Sequence, residues 1–171
     1  MPNGYLETVL ETWREDFSDL PDAAGLTRLV TRLTIAAVLG GVLGFDREAH
    51  GKDAGLRTHM LICVGAALFA LVPQQAGITD DGLARIIQGV IAGVGFIGGG
   101  AILKLSAERR IEGLTTAAGI WLTAGIGIAA GLGRETSAIV GTLLALLVLA
   151  ALTGTSRVIA RLARWGPARD A

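Results

Sequence analysis

Apolar residues run along this chain in blocks too long for ordinary soluble helices, separated by short polar clusters. Five blocks approach the roughly 17–25 residues that a helix needs to cross a bilayer: residues 26–45, 58–72, 86–103, 113–133 and 136–156. The last two contain no charged residue. The first qualifies if Arg28 and Arg32 stretch toward water at its outer end. The second stops at Pro73, and the third carries Gln88 as its one strongly polar residue. Ahead of these blocks, Tyr5, Leu6, Val9, Leu10, Trp13, Phe17 and Leu20 recur at three- and four-residue spacing, the pattern of an amphipathic helix. That segment is acidic (Glu7, Glu11, Glu15, Asp16, Asp19, Asp22 against Arg14) and has no basic, apolar-cored signal at its start. The pattern therefore predicts an all-α polytopic membrane protein of five transmembrane helices. It divides into an acidic surface helix (1–25), a transmembrane domain (26–156) and a basic tail (157–171).

Composition sharpens this picture. Of 171 residues, 51% are hydrophobic and only 18% are charged, against roughly 25% charged in soluble domains. Mean hydropathy is +0.57, which excludes a disordered chain. Glycine, at 25 residues, is about twice as frequent as usual, without a collagen period. One cysteine, Cys63, excludes an internal disulfide and a cysteine-rich zinc site. A net charge of +0 argues against a nucleic-acid partner.

Orientation follows from the basic residues. With five spans, one side holds Arg14, Arg28, Arg32, Arg85 and Arg134. The other holds Arg47, Lys52, Arg57, Lys104, Arg109, Arg110, Arg157, Arg161, Arg164 and Arg169. The positive-inside rule then puts the N-terminus outside and the C-terminus in the cytoplasm. Arg157, Arg161 and Arg164 beside Trp165 suit an anchor at the lipid surface.

Gly93, Gly95 and Gly98 spell G-x-G-x-x-G, but inside a membrane-length apolar block rather than between a strand and a helix, so a dinucleotide site is rejected. Gly40/Gly44, Gly89/Gly93, Gly95/Gly99 and Gly127/Gly131 instead have the four-residue spacing that lets helices approach closely in lipid. Between Gly93 and Gly100 five of eight residues are glycine, Gly99 among them. The tract is either a continuous close-packed helix or an unwound segment offering carbonyls to a solute.

Loop 45–59 is the densest polar region, with Asp46, Arg47, Glu48, His50, Lys52, Asp53, Arg57, Thr58 and His59. It can form a paired network or hold a cation, a phosphate or a partner protein. The two histidines form no recognised zinc motif. Arg85 and Gln88 share a face, with Asp81 one turn earlier as an expected partner for Arg85. Thr115 and Thr116 open the fourth span. No catalytic constellation is present, so an enzyme is not expected.

In this order, Gly44-Phe45-Asp46-Arg47-Glu48, Ala54-Gly55-Leu56-Arg57-Thr58-His59, Arg85-Ile86-Ile87-Gln88 with the tract through Ile102, and Gly113-Leu114-Thr115-Thr116-Ala117-Ala118 with Trp121 resemble the MgtC/SapB family of bacterial membrane proteins. The resemblance runs from about Arg32 to Thr153. Phe45-Asp46 stands where the family has Leu-Glu, and Gly99 where it often has Ala. The chain reads as a short form without the C-terminal ACT-like domain of many members. The resemblance implies an inner-membrane protein linked to growth at low magnesium or under acid stress and, in pathogens, to survival in the host.

Two function classes follow: a regulator of a membrane-protein partner, and a transporter or channel for Mg²⁺ or another cation. The proposed spans have no Asp, Glu, Lys or Arg at mid-depth. Dehydrated Mg²⁺ seeks six oxygens, so the regulator is favoured. No cofactor is expected beyond a Mg²⁺ association, and a homodimer is expected because two-fold closure is the commonest assembly. The functional site is expected at the cytoplasmic boundary, where Asp46, Arg47, Glu48, Arg57, Thr58, His59, Thr115 and Thr116 reach one depth. Arg57 is expected to pair with an acid there or with an anionic group of a partner, and His59, with an unperturbed pKa of about 6.5, to lend pH sensitivity. Arg85, Gln88, Gly93, Gly95, Gly98, Gly99 and Gly100 form a second, intramembrane set.

Overall fold

The computed structural model of the chain describes residues 3–18, 22–102 and 113–163, with 3 and 152–163 as backbone alone. The described residues form six helices and no strand: α1 (Asn3–Asp16), α2 (Ala23–Ala49), α3 (Leu56–Gln75), α4 (Asp80–Ile102), α5 (Leu114–Gly131) and α6 (Glu135–Ala163). Expectations for Asp19, Leu20, Leu103, Lys104, Arg109, Arg110, Arg164, Trp165 and Arg169 lie outside the described residues.

Four helices, α2 to α5, are long and apolar enough to cross a membrane; the part of α6 up to Ala151 is a shorter apolar helix. The apolar blocks seen in the sequence are thus helices; α2, α3, α4 and α6 run on into polar residues at one or both ends, while α5 lies within its block. Asp22 caps α2, its Oδ1 accepting from the Gly25 N–H at 2.6 Å. The expected stop of the second span at Pro73 does not occur. Pro73 sits inside α3, which runs on to Gln75. In the last turn its missing N–H costs a single bond to the preceding turn, and the chain closes with Ala76 donating to Val72.

α5 is the hub: it packs against α2, α3, α4 and α6, and α3 lies between α2 and α5. Among the described residues α1 packs on no other helix; its Tyr5, Leu6 and Trp13, and Phe17 just after it, are exposed. The core is built largely of small residues, Ala36, Cys63, Ala66, Ala67, Ala70, Ala124, Ala130 and Ala138. Large side chains such as Phe45, Leu61, Phe69, Trp121 and Leu147 point outward. In lipid this inversion is favourable, because helices associate through close backbone packing rather than by hiding apolar groups from water.

Glycine makes that approach close on both sides of α3. A Cβ on Gly40 would lie 2.7 Å from the His59 carbonyl oxygen, and one on Gly44 2.7 Å from the Leu56 Cα. From the other side, Gly127 and Gly131 press against the carbonyl oxygens of Cys63 and Ala67. The glycine-rich α4 behaves differently. It is a continuous helix through Gly100, so the tract is not unwound. Nor is the tract close-packed among the described residues: Gly98 meets Ala117, while Gly89, Gly93, Gly95, Gly99 and Gly100 face open space.

The bundle has two polar ends. One gathers the end of α2, the starts of α3 and α5 and the end of α4. The other gathers the start of α2, the end of α3, the end of α5 and the start of α6. At the latter, Arg32 does not reach for water. Its Nη1 donates to Gln74 Oε1 at 2.9 Å and to the Gly131 carbonyl at 3.0 Å, and its Nε lies 3.9 Å from Glu135 Oε1.

Candidate functional site

The last turn of α2 carries the charged cluster into the first polar end. Arg47 is buried, its side chain 4% exposed. A buried guanidinium needs a charged partner, and Asp46 supplies it: one carboxylate oxygen accepts from Arg47 Nε at 2.9 Å and from Nη2. His50 folds back so that Nδ1 lies 2.7 Å from the Asp46 carbonyl and 3.4 Å from its carboxylate. Glu48 has a different task. The N-cap of α3 is Gly55, which has no side chain to cap with; Glu48 Oε2 reaches across and accepts from the Leu56 N–H at 2.8 Å. A carboxylate at a helix N-terminus satisfies an orphan donor and meets the positive end of the helix dipole.

One turn into α3, His59 is 1% exposed. Its Nδ1 lies 3.0 Å from the Gly55 carbonyl, an acceptor only, so Nδ1 carries the proton. Nε2 is left facing Gly119 on α5, where an added Cβ would sit 3.6 Å away. Among the described residues Nε2 has no hydrogen-bond partner, and it is not sealed from the space beside it. It opens onto a cleft of about 560 Å³ between α2, α5 and α6, whose lining includes Arg47, His59, Thr115, Gly119, Leu122 and Val148. Deeper in, the Thr123 hydroxyl is spent on the Gly119 carbonyl at 2.8 Å.

A second, more polar cavity of about 460 Å³ adjoins the first and shares Leu114 and Thr115 with it. Lys52, Asp53, Gly113 and Thr116 complete its wall. Gly113 is the N-cap of α5 at φ +92°, with its Cα against the Ala101 carbonyl at the end of α4, a place and conformation that no other residue fits. It offers no side chain to cap the first turn of α5. Thr116 is buried and Thr115 exposed.

The fold therefore brings Asp46, Arg47, Glu48, His59, Thr115 and Thr116 to one end of the bundle. Thr58 is half-buried beside them. Of the two kinds of partner expected for Arg57, the acids do not serve among the described residues: Arg57 is exposed and forms no ion pair with Asp46 or Glu48. Arg85 and Gln88 belong elsewhere, on the exposed face of α4, and the expected Asp81–Arg85 ion pair is not formed among the described residues. Of the glycine set, Gly98 approaches the site through Ala117. No group of three His, Cys, Asp or Glu able to hold a metal occurs among the described residues.

Sequence reasoning does not single out Lys52, Gly119, Leu122 and Thr123 as site residues. Thr115, Gly119 and Thr123 are spaced by four, so small and polar groups fall on one stripe of α5. That spacing is the signal from which they could be found.

The family model described as "MgtC family" matches residues 33–158. The chain is 40% identical to the protein SrpB of Synechococcus elongatus over 74% of its length and 76% of SrpB. It is 45% identical to the "Putative magnesium transporter YhiD" of Escherichia coli K12 over 70% of its length and 58% of YhiD. It is 36% identical to the protein MgtC of Brucella abortus over 72% of its length and 51% of that protein. The chain thus spans only a little over half of YhiD and MgtC. No solved structure matches.

Proposed function

The chain belongs to the MgtC family, and from that premise we propose that it is an inner-membrane protein that supports growth at low magnesium by regulating a membrane partner through its cytoplasmic end. In this reading α6 is a fifth span. Its 29 residues, at about 1.5 Å each, exceed the thickness of the hydrocarbon core. The N-terminus then lies outside and the C-terminus inside, by the excess of basic residues on the Arg47 side.

The carrying observation is the sign of the buried charge. The site centres on a guanidinium, Arg47, already paired with Asp46. Mg²⁺ favours carboxylate and water oxygens and surrenders its hydration shell reluctantly. A conduction path would have to take it past a fixed cation. Arg57, outside any ion pair among the described residues, and the rim of Lys52 and Thr115 suit contact with an anionic group on another molecule. The name carried by YhiD favours the second reading, a magnesium transporter.

Two measurements separate them. Proteoliposomes containing only this protein should show no Mg²⁺ flux above protein-free vesicles; robust flux establishes the transporter instead. Glu48→Gln, Arg57→Gln and His59→Gln, made singly, should accumulate in the membrane yet fail to support growth at low magnesium. Glu48→Gln keeps an oxygen for the Leu56 N–H, and Arg57 is exposed, so the fold should tolerate both changes. Full complementation by all three variants places the working surface elsewhere.

A further inference from the structure

The cleft beside His59 has dimensions that select its occupant. From Leu114 to Thr123 it follows nine residue steps of α5, about 13 Å at 1.5 Å per residue, which is close to half of a ~30 Å hydrocarbon core. It therefore spans one leaflet. Its volume of about 560 Å³ lies in the range of small-molecule sites. A transmembrane helix, ~10–12 Å across, would fill that volume with about one turn. A single hydrocarbon chain fits it along its whole depth.

The walls sort by depth. Gly141, Leu122 and Ala145 line the interior, while Arg47, Thr115 and Leu149 stand toward the boundary. Leu114, Leu144 and Val148 are more than half exposed, so the cleft opens sideways to the bilayer rather than only to water. At its boundary end it meets the polar cavity through Leu114 and Thr115. There Lys52 and the first turn of α5, which Gly113 cannot cap with a side chain, add to Arg47; among the described residues the facing acids are Asp46, held by Arg47, and Asp53, which has a partner of its own. An uncapped helix N-terminus with a nearby cation favours a phosphate. Nε2 of His59, without a hydrogen-bond partner among the described residues, faces the cleft at the depth where a lipid's hydrated glycerol region gives way to its chain.

We propose that this cleft holds one acyl chain of an anionic phospholipid from the adjoining leaflet, with its phosphate at the shared mouth between Arg47, Lys52 and Thr115. The inference rests on reading this end of the bundle as the regulatory face. The bound lipid makes that face responsive to the anionic lipid around it.

The test uses the full chain purified in neutral detergent. Lipid retained by the protein is measured by native mass spectrometry, and thermal unfolding is followed in parallel. The probes are dioleoylphosphatidylglycerol, dioleoylphosphatidylcholine with the same chains, and inorganic phosphate. The wild type should retain one phosphatidylglycerol with about tenfold preference over phosphatidylcholine, the scale of one charge-assisted contact, and inorganic phosphate should give no stabilisation. Ala118 is exposed on the cleft wall, so Ala118→Trp should fill the cleft and lower retention about tenfold. Its unfolding temperature without added lipid should be unchanged. Lys52→Gln, on the exposed rim, should keep retention but lose part of the preference for the anionic lipid. Equal retention of the two lipids overturns the proposal, as does stabilisation by phosphate alone or undiminished retention by Ala118→Trp. None of these readouts involves growth or flux, so their failure leaves the regulator reading to its own experiments.

Discussion

A single arginine, Arg32, ties four helices together at the end opposite the candidate site. Its guanidinium belongs to α2, donates to Gln74 in α3 and to the last residue of α5, and approaches Glu135 at the start of α6. Gly133, at φ +72°, lies directly against it, leaving no room for a side chain. Five N–H donors in a fixed plane make this bridge; one ammonium cannot reach the same set. Arg32→Ala should lower stability in detergent by about 1–3 kcal/mol, the range for a lost charged hydrogen bond, and Arg32→Lys should restore only part of it. An unchanged unfolding midpoint in Arg32→Ala would show that the helix ends hold without the clamp. At the other end Glu48 has the same logic on a smaller scale. Glu48→Ala should cost about 1 kcal/mol as a lost helix cap, seen as a lower midpoint, whereas Glu48→Gln should retain most of the stability.

At the scale of the helix, the glycine pairs divide into two classes that spacing alone does not distinguish. Gly40 and Gly44 on α2, and Gly127 and Gly131 on α5, hold α3 between them at backbone contact. Leucine at 40 or 127 would overlap backbone atoms that have no rotamer to escape into, so both variants should fail to accumulate as folded protein. Gly95 and Gly99 on α4 meet nothing among the described residues. Gly95→Leu and Gly99→Leu should therefore leave the monomer's unfolding midpoint intact. If the homodimer forms on this face, where Gln88 offers an amide able both to donate and to accept, each variant should shift the protein from dimer to monomer in detergent. Light scattering coupled to size exclusion reads this directly, and a dimer preserved in both variants removes α4 as the interface.

For the whole molecule, the alternation of helices puts Arg47, Lys52 and Arg57 at one end and Arg28, Arg32 and Arg85 at the other. On the proposed five-span reading, the basic loops assign the first end to the cytoplasm and the odd number of spans carries the C-terminus there. A reporter active only in the cytoplasm, fused after Ala171, should be active, and one fused before Met1 should not. The reverse pattern would invert the site with respect to the membrane and remove the cytoplasmic-partner reading.

The apolar blocks and their polar punctuation determined helix number, order and approximate limits, because a segment's hydropathy is a local property and the bilayer demands internally satisfied backbone. The four motif blocks that resemble the MgtC/SapB family were equally legible, since residue identity and spacing are all that such a likeness needs. Partnership between side chains was not legible. Asp46 and Arg47 are neighbours in sequence, but that Arg47 is buried depends on how the other helices close over α2. Glu48 reads as another loop acid until the turn of the chain brings the bare N-cap at Gly55 beneath it. The same four-residue glycine spacing is a buried contact on α2 and α5 and an open face on α4, because spacing defines a surface and only packing decides what lies against it. Arg32, expected to reach for water, turns inward for the same reason. Its acceptors at Gln74, Gly131 and Glu135 lie 42, 99 and 103 positions away along the chain, and tertiary structure alone brings them within reach of one guanidinium.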